Sequence, residues 1–196
     1  DSTYGALPTA SKLGSTFDGW FTSASGGTQI TSASTVSITS NQTLYAQFTQ
    51  VMIPLDVIYN SNATITVNGT DYTGITNQYT TINVPWYSTV TWSVTPNTGY
   101  SFVSFTVGVP GDETTYTGTS SGSFTASVDQ YEVYATVQLA TYTVTFDATT
   151  NGGTISGSSS KTVTYGSTYG TLPTATKTGH SFSGWFTSAS GGTQIT

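Results

Sequence analysis

This chain carries one stretch of text twice. Residues 1–31 (DSTYGALPTASKLGSTFDGWFTSASGGTQIT) align without a gap on residues 166–196 (GSTYGTLPTATKTGHSFSGWFTSASGGTQIT), and 24 of the 31 positions are identical at an offset of 165 residues. Self-similarity at a fixed offset marks a repeat array. The 196 residues therefore divide into several small modules rather than one large domain. Each copy of a repeated module offers the same face again, which suits spacers, stalks and multivalent surfaces.

Charge narrows the classes further. Charged residues make up 6% of the chain, against roughly 25% in ordinary soluble domains. There is no arginine, and the only basic side chains are Lys12, Lys161 and Lys177. Neutralising phosphates takes a basic stripe, so nucleic acid is excluded as a partner. Electrostatic docking on anionic lipid fails for the same reason. No apolar run of about 18 residues is present, which rules out insertion into a membrane by a helix. With no cysteine, disulfides contribute nothing, but thirteen Tyr, nine Phe and four Trp supply bulky side chains for cores. A surface of Thr, Ser, Asn and Tyr with few lysines fits a secreted or cell-surface protein of bacterial type.

The hydrophobic period is two almost everywhere. Tyr142, Val144 and Phe146 alternate with threonines, as do Val90, Trp92 and Val94. Leu44, Ala46 and Phe48 follow the same rule, and so do Tyr131, Val133, Ala135 and Val137. Such alternation predicts half-buried antiparallel strands and a mainly β fold. Asn68-Gly69 predicts a two-residue hairpin turn. Ser25-Gly26-Gly27 and Ser190-Gly191-Gly192 close equivalent hairpins in the two copies, and Pro8 and Pro173 break the chain ahead of each.

Three segments follow. Residues 1–49 are the C-terminal part of a repeat, residues 50–139 a different β module, and residues 140–196 the N-terminal part of a second repeat. The partial copies are complementary: 140–165 supply what is missing before residue 1, and 32–49 what is missing after residue 196. Spliced, they give a repeat of about 75 residues, a size that folds alone. This register suits a window on a longer array, or a subunit whose neighbours supply the missing strands.

The spliced repeat resembles the Listeria–Bacteroides repeat, or internalin B-repeat. The residues that carry the resemblance are YTVTFDATTNGGTISG (142–157), KTVTYGSTYGTLPTATKTGHSFSGWFTSASGGTQI (161–195) and TVSITSNQTLYAQFT (35–49). Thr149-Thr150 is an insertion that should enlarge one turn. The middle segment is similar to divergent B-type surface repeats through STVTWSVTPNTGYSFVSF (88–105) and YEVYATV (131–137). The resemblance implies β-grasp-like modules in tandem on bacterial surface proteins, acting as spacers and in some cases as adhesive contacts. The middle module is expected to be a small antiparallel β sandwich or sheet.

The hallmark of the repeat is Phe17, Gly19 and Trp20 in one copy and Phe182, Gly184 and Trp185 in the other. The aromatics should face the core, and glycine before tryptophan permits a bulge or a close approach by another segment. Chemistry is otherwise sparse. His180, the only histidine, is replaced by Ser15 in the sister copy, so it reads as a surface residue. No catalytic triad, metal-ligand spacing or cofactor motif appears. The acids are scattered, and Asp112-Glu113 reads as a solvated turn. Residues 108–122 (GVPGDETTYTGTSSG) read as a long Gly-rich loop, the best place for specific recognition.

The expectation is a non-catalytic extracellular segment acting as stalk or fibre element. Its partners would be neighbouring repeats of the same or identical chains. The alternatives are an adhesin module that binds a surface glycan or protein, and accessory modules of a secreted enzyme. Sheet edges with almost no lysine to guard them point to strand addition.

Overall fold

Alternating apolar and polar residues become strands throughout the computed structural model, which describes residues 2–127 and 131–196. The chain forms two compact units. The first runs through Thr95 and includes Ser104–Thr136; the second holds Pro96–Val103 and Val137–Thr196.

The first unit begins with the N-terminal partial repeat. Its strands β1 (Ser15–Phe21), β2 (Gln29–Ile30) and β3 (Tyr45–Gln50) make a sheet in the order β2-β1-β3. One residue, Val51, separates β3 from the next strand. Its backbone bonds to both sides, donating to the Gly14 carbonyl at 2.9 Å and accepting from the Trp86 N–H at 2.8 Å. Gln50 Nε2 adds bonds to the carbonyls of Gly14 (2.6 Å) and Trp86 (3.2 Å). The join between repeat and middle module is therefore stitched by hydrogen bonds, with no slack linker.

Nine strands build the middle module: β4 (Met52–Ile58), β5 (Ala63–Val67), β6 (Thr70–Tyr72), β7 (Tyr79–Pro85), β8 (Thr89–Pro96), β9 (Tyr100–Val109), β10 (Asp112–Thr117), β11 (Ser121–Thr125) and β12 (Tyr131–Leu139). They divide into a five-stranded sheet, β10-β9-β12-β4-β7, and a four-stranded sheet, β11-β8-β5-β6. The inward residues are those the period-two pattern selects: Ile53, Leu55 and Val57 on β4, Ala63, Ile65 and Val67 on β5, Val90, Trp92 and Val94 on β8. Across the sandwich, the Trp92 ring stacks on Phe105 with centroids 4.1 Å apart. Asn68 (φ 49°) and Gly69 (φ 80°) form the β5–β6 turn, a backbone shape that Asn-Gly tolerates.

Two features depart from the sequence expectation. The pairing of β12 with β4 is parallel, Tyr131 opposite Leu55 and Val133 opposite Val57. The first and last strands of the module are neighbours, and the whole module serves as their crossover connection. Residues 108–122, expected as a long loop, are mostly strand. β9 folds back onto β10 across Pro110-Gly111, with Asp112 opposite Val109 and Thr117 opposite Ser104. Gly111 (φ 94°) lies in the turn between β9 and β10 and Gly118 (φ 81°) in the bend after β10, whereas Gly108 and Gly122 lie within strands. Tyr116 explains the ordering, since its ring packs against Trp92 at 5.4 Å. Asp112 and Glu113 accordingly open an edge strand rather than sit in a turn.

In the second unit, β13 (Thr141–Thr145), β14 (Thr154–Ser156), β15 (Ser160–Thr164), β16 (Thr174–Thr176), β17 (Trp185–Phe186) and β18 (Gln194–Ile195) pair as β13-β15, β14-β16 and β17-β18. Phe146, Ala148, Ala175 and Trp185 form the buried centre, with Val144, Ile155, Leu172 and Ile195 around it. The inserted Thr149-Thr150 pair lies in a 3-10 turn, Thr149–Asn151. Asp147 organises it, accepting bonds from the N–H (2.8 Å) and hydroxyl (2.7 Å) of Thr149 and from the N–H (3.2 Å) and hydroxyl of Thr150. The Thr150 and Thr149 donors hold the Asp147 carboxyl well below the usual carboxylate range. Its contribution to stability is thus present above the ordinary carboxylate pKa of about 4 and is lost as pH falls toward the depressed value. Residues 96–103 belong to this unit because the Ala140 N–H donates to the Gly99 carbonyl, and the Tyr165 ring lies against Gly99.

Two outcomes are expected. Phe105→Ala removes a fully buried ring and should cost about 3–5 kcal/mol, read as a lower denaturant midpoint. With so few charges, the melting temperature should move by less than about 5 °C between 20 mM and 1 M NaCl, since only weakly populated charge terms are screened. Circular dichroism melts check this, and a shift of tens of degrees would contradict it.

Candidate functional site

The repeat hallmark is built the same way in both copies. In the first, the Trp20 indole N–H donates to the Pro8 carbonyl at 2.7 Å, and Gln29 Nε2 donates to the Asp18 carbonyl at 2.8 Å. In the second, Trp185 donates to Pro173 at 2.8 Å and Gln194 to Ser183 at 3.0 Å. The Phe–Trp pair packs edge to face in both, at 5.8 Å for Phe17–Trp20 and 5.4 Å for Phe182–Trp185. Each Trp sits opposite an isoleucine, Ile30 or Ile195.

The glycine between them has two reasons to be glycine. Gly19 has φ 132° and Gly184 has φ 122°, a region that side chains rarely adopt. A Cβ there would also meet the glutamine amide, at 2.6 Å from Gln29 Nε2 and 2.7 Å from Gln194 Nε2. In the first copy the β1–β3 register shifts between Phe17 and Gly19, so the glycine marks a β-bulge. The two glutamines are part of the device that sequence reading missed. Their signal was their fixed place, ten residues after the glycine in both copies.

The copies differ in what surrounds this device. In residues 1–49, β3 covers Phe17, with Phe48 at 5.5 Å. Thr49 donates to Asp18 at 2.8 Å, and Gln47 Nε2 donates to the carbonyls of Ser23 (2.9 Å) and Gly26 (2.7 Å). Nothing there corresponds to Phe146, and Trp20 is only half buried. In residues 140–196 the balance is reversed. Trp185 is 9% exposed, with Phe146 at 4.9 Å. No counterpart of β3 is present, and Phe182 is 43% exposed. Phe182, expected in the core, is exposed here, whereas its aligned counterpart Phe17 has the Phe48 ring beside it. Ser181–Gly184 form no strand, although the aligned residues Thr16–Gly19 lie within β1.

The result is a groove of about 860 Å³ in the second unit, lined among others by Phe146, Tyr169, His180, Phe182, Trp185 and Ile195. Its lining mixes aromatic and aliphatic residues with polar ones such as Asp147, Lys177 and Ser183. His180 is exposed, its Nδ1 3.0 Å from the Thr178 carbonyl oxygen. Lys161 is occupied by the carbonyls of Tyr169 (2.5 Å) and Thr171 (3.0 Å). Among the described residues no cluster of His, Asp or Glu could hold a metal ion, and no helix is long and apolar enough to cross a membrane.

The glycine argument predicts that Gly184→Ala destabilises the second unit by roughly 1–3 kcal/mol, from the positive φ and the glutamine collision together. Gln194→Ala in the same chain should relieve the collision, so the double variant loses less than the two single losses combined. Thermal melts of the four chains decide it; strict additivity would show that Gln194 does not occupy the Cβ position.

The sequence model of the Listeria-Bacteroides repeat domain matches residues 1–47 and 142–196. These are the two segments that carry the duplicated hallmark, and the sandwich lies between the matches. No curated protein and no solved structure matches the chain. Repeats of this family are found in surface or secreted bacterial proteins and are generally non-catalytic. With more than half of its residues matched, and with the Gly-Trp device formed twice, the chain belongs to the Listeria-Bacteroides repeat domain family.

Proposed function

We propose that this chain is an extracellular structural segment that transmits tension, as part of a stalk or of a surface fibre. The observation that carries this reading is the parallel pairing of β4 with β12. These are the first and last strands of the sandwich, and in a parallel pair the entry into the first and the exit from the last lie at opposite ends. Tension that enters at Val51 and leaves past Thr136 then runs along the ladder, in shear. In shear the ladder bonds must break together, whereas pulling across the strands breaks them one after another. The stitched join at Val51 supports the same reading, because slack between modules would absorb load as extension.

The adhesin reading leaned on residues 108–122 as an open loop. Those residues are largely an edge hairpin, so that argument no longer favours it. The enzyme-accessory reading has no observation of its own in this chain.

Single-molecule pulling tests the proposal, and the absence of native cysteine makes the handles simple. Cysteine handles at Val51 and Thr136 load the β4–β12 ladder in shear. Handles at Ser61 and Thr136 lie toward one end of the same ladder and open it like a zipper. The unfolding force should be several-fold higher in the first geometry. Equal forces would remove the mechanical argument, and saturable binding of the chain to a cell-surface glycan would favour the adhesin.

A further inference from the structure

We propose that strand β7 pairs antiparallel with β7 of a second copy of this chain, about a two-fold axis at Thr81. The inference deepens the stalk-or-fibre reading, and rests on it only for the setting in which two copies lie side by side.

The register of the sandwich shows which backbone groups β7 leaves over. The Tyr59 N–H donates to the Gln78 carbonyl at 2.6 Å, and the Trp86 N–H to the Val51 carbonyl at 2.8 Å. Between these bonds the β4–β7 ladder runs without a shift. Hydrogen-bonded pairs alternate along an antiparallel ladder. Thr80, Ile82 and Val84 therefore bond to β4, and the N–H and C=O groups of Tyr79, Thr81 and Asn83 point away from it. β7 is the last strand of its sheet, and these three residues are exposed. The Thr80 hydroxyl is hydrogen-bonded to the Tyr59 hydroxyl, which holds the strand against the sandwich.

The ends of this edge permit one self-pairing. Asn77 has φ 69°, outside strand geometry. Pro85 has no N–H, and its carbonyl accepts from the Ser88 N–H at 3.0 Å. A slip of one residue would oppose free groups with groups already bonded to β4. A slip of two would spend bonds on Asn77 or Pro85. With Thr81 opposite Thr81 and Tyr79 opposite Asn83, every outward group finds a partner. The contact is isologous and closes as a dimer, joining two five-stranded sheets into one. Tyr79, 62% exposed, then lies across the partner's Asn83 side chain.

Charge permits this approach. Residues 72–111 contain no Asp, Glu, Lys, Arg or His. Asp56 lies one strand in and accepts from the Thr81 hydroxyl at 2.6 Å. The two Asp56 residues of a dimer would be three strand spacings apart, roughly 14 Å, beyond the Debye length of about 8 Å. Asp71, on β6, accepts from Thr66, on the face turned away from the buried Ile65 and Val67. The far edge of the joined sheet is β10, whose Asp112 and Glu113 oppose further growth. β11, the other uncharged edge, is shorter and has Gly122 in its interior, so it specifies register poorly.

Sedimentation of the intact chain should show a monomer–dimer equilibrium. Thr81→Pro removes the central N–H without breaking the β4 ladder, and should raise the dimer dissociation constant at least about tenfold. Thr81→Val loses only the hydroxyl bond to Asp56 and should still dimerise. Oxidation of single cysteines reads the register. Across the axis the two position-81 Cα atoms lie about 5.5 Å apart, within disulfide reach, so Thr81→Cys should give a covalent dimer. Asn83→Cys should not, because its two copies lie roughly 13 Å apart. The cysteine variants decide the question even if the proline variant fails to fold. A chain that stays monomeric at every concentration overturns the proposal. Dimerisation that Thr81→Pro leaves unchanged, or equal cross-linking at 81 and 83, assigns the contact to another edge or register and overturns it too. The pulling experiment loads single chains, so the mechanical reading stands or falls separately.

Discussion

A β-strand exists only where a neighbour takes up its backbone N–H and C=O groups, and this chain shows the rule on two nearly identical texts. With β3 alongside, STFDGWF is a seven-residue strand. Without it, HSFSGWF keeps only Trp185–Phe186 as strand, paired to the short β18. Propensity is nearly the same in both, so the difference is the ladder. Context decides strand formation more than intrinsic preference does. The same absence leaves Phe182 exposed, because the strand that would satisfy the backbone also carries the ring that would cover it.

What survives in both copies is the set of bonds that needs no third strand. The indole N–H reaches a carbonyl twelve residues back, and a glutamine folds over the glycine that precedes the tryptophan. These contacts are local in sequence, so they close short loops at low entropic cost. They fix the orientation of the tryptophan within the hairpin. The proline carbonyl gives the indole N–H of Trp20 and Trp185 a partner, which the buried N–H groups of Trp86 and Trp92 lack. The repeat therefore has a self-contained hairpin centre, to which further strands add from either side.

Much of this was legible in the sequence. Period-two alternation marked the sandwich strands, because the inward residues of β4, β5 and β8 face a single dry layer. The duplicated text gave the repeat and its family. Three things were hidden, each for a physical reason. The parallel β4–β12 pair joins strands from opposite ends of the module, and nothing in local pattern encodes such pairing. The β9–β10 hairpin looked like loop because Thr, Gly and Asp serve an exposed edge strand as well as a turn, and only the contact of Tyr116 with Trp92 distinguishes them. The two glutamines were hidden because their bonds to the Asp18 and Ser183 carbonyls are side-chain contacts that no alternation encodes.

The scarcity of charge makes the placement of the few acids informative. Asp112 and Glu113 lie on β10, and Asp71 on β6, each an edge of its sheet. Edge carboxylates on two molecules repel when the edges approach, which discourages the wrong pairing without any lysine. Two of the four sandwich edges, β10 and β6, thus carry three carboxylates, while the other two, β7 and β11, carry none. The near-absence of other charge leaves their repulsion uncompensated by neighbouring cations, so each one counts for more than it would on an ordinary surface.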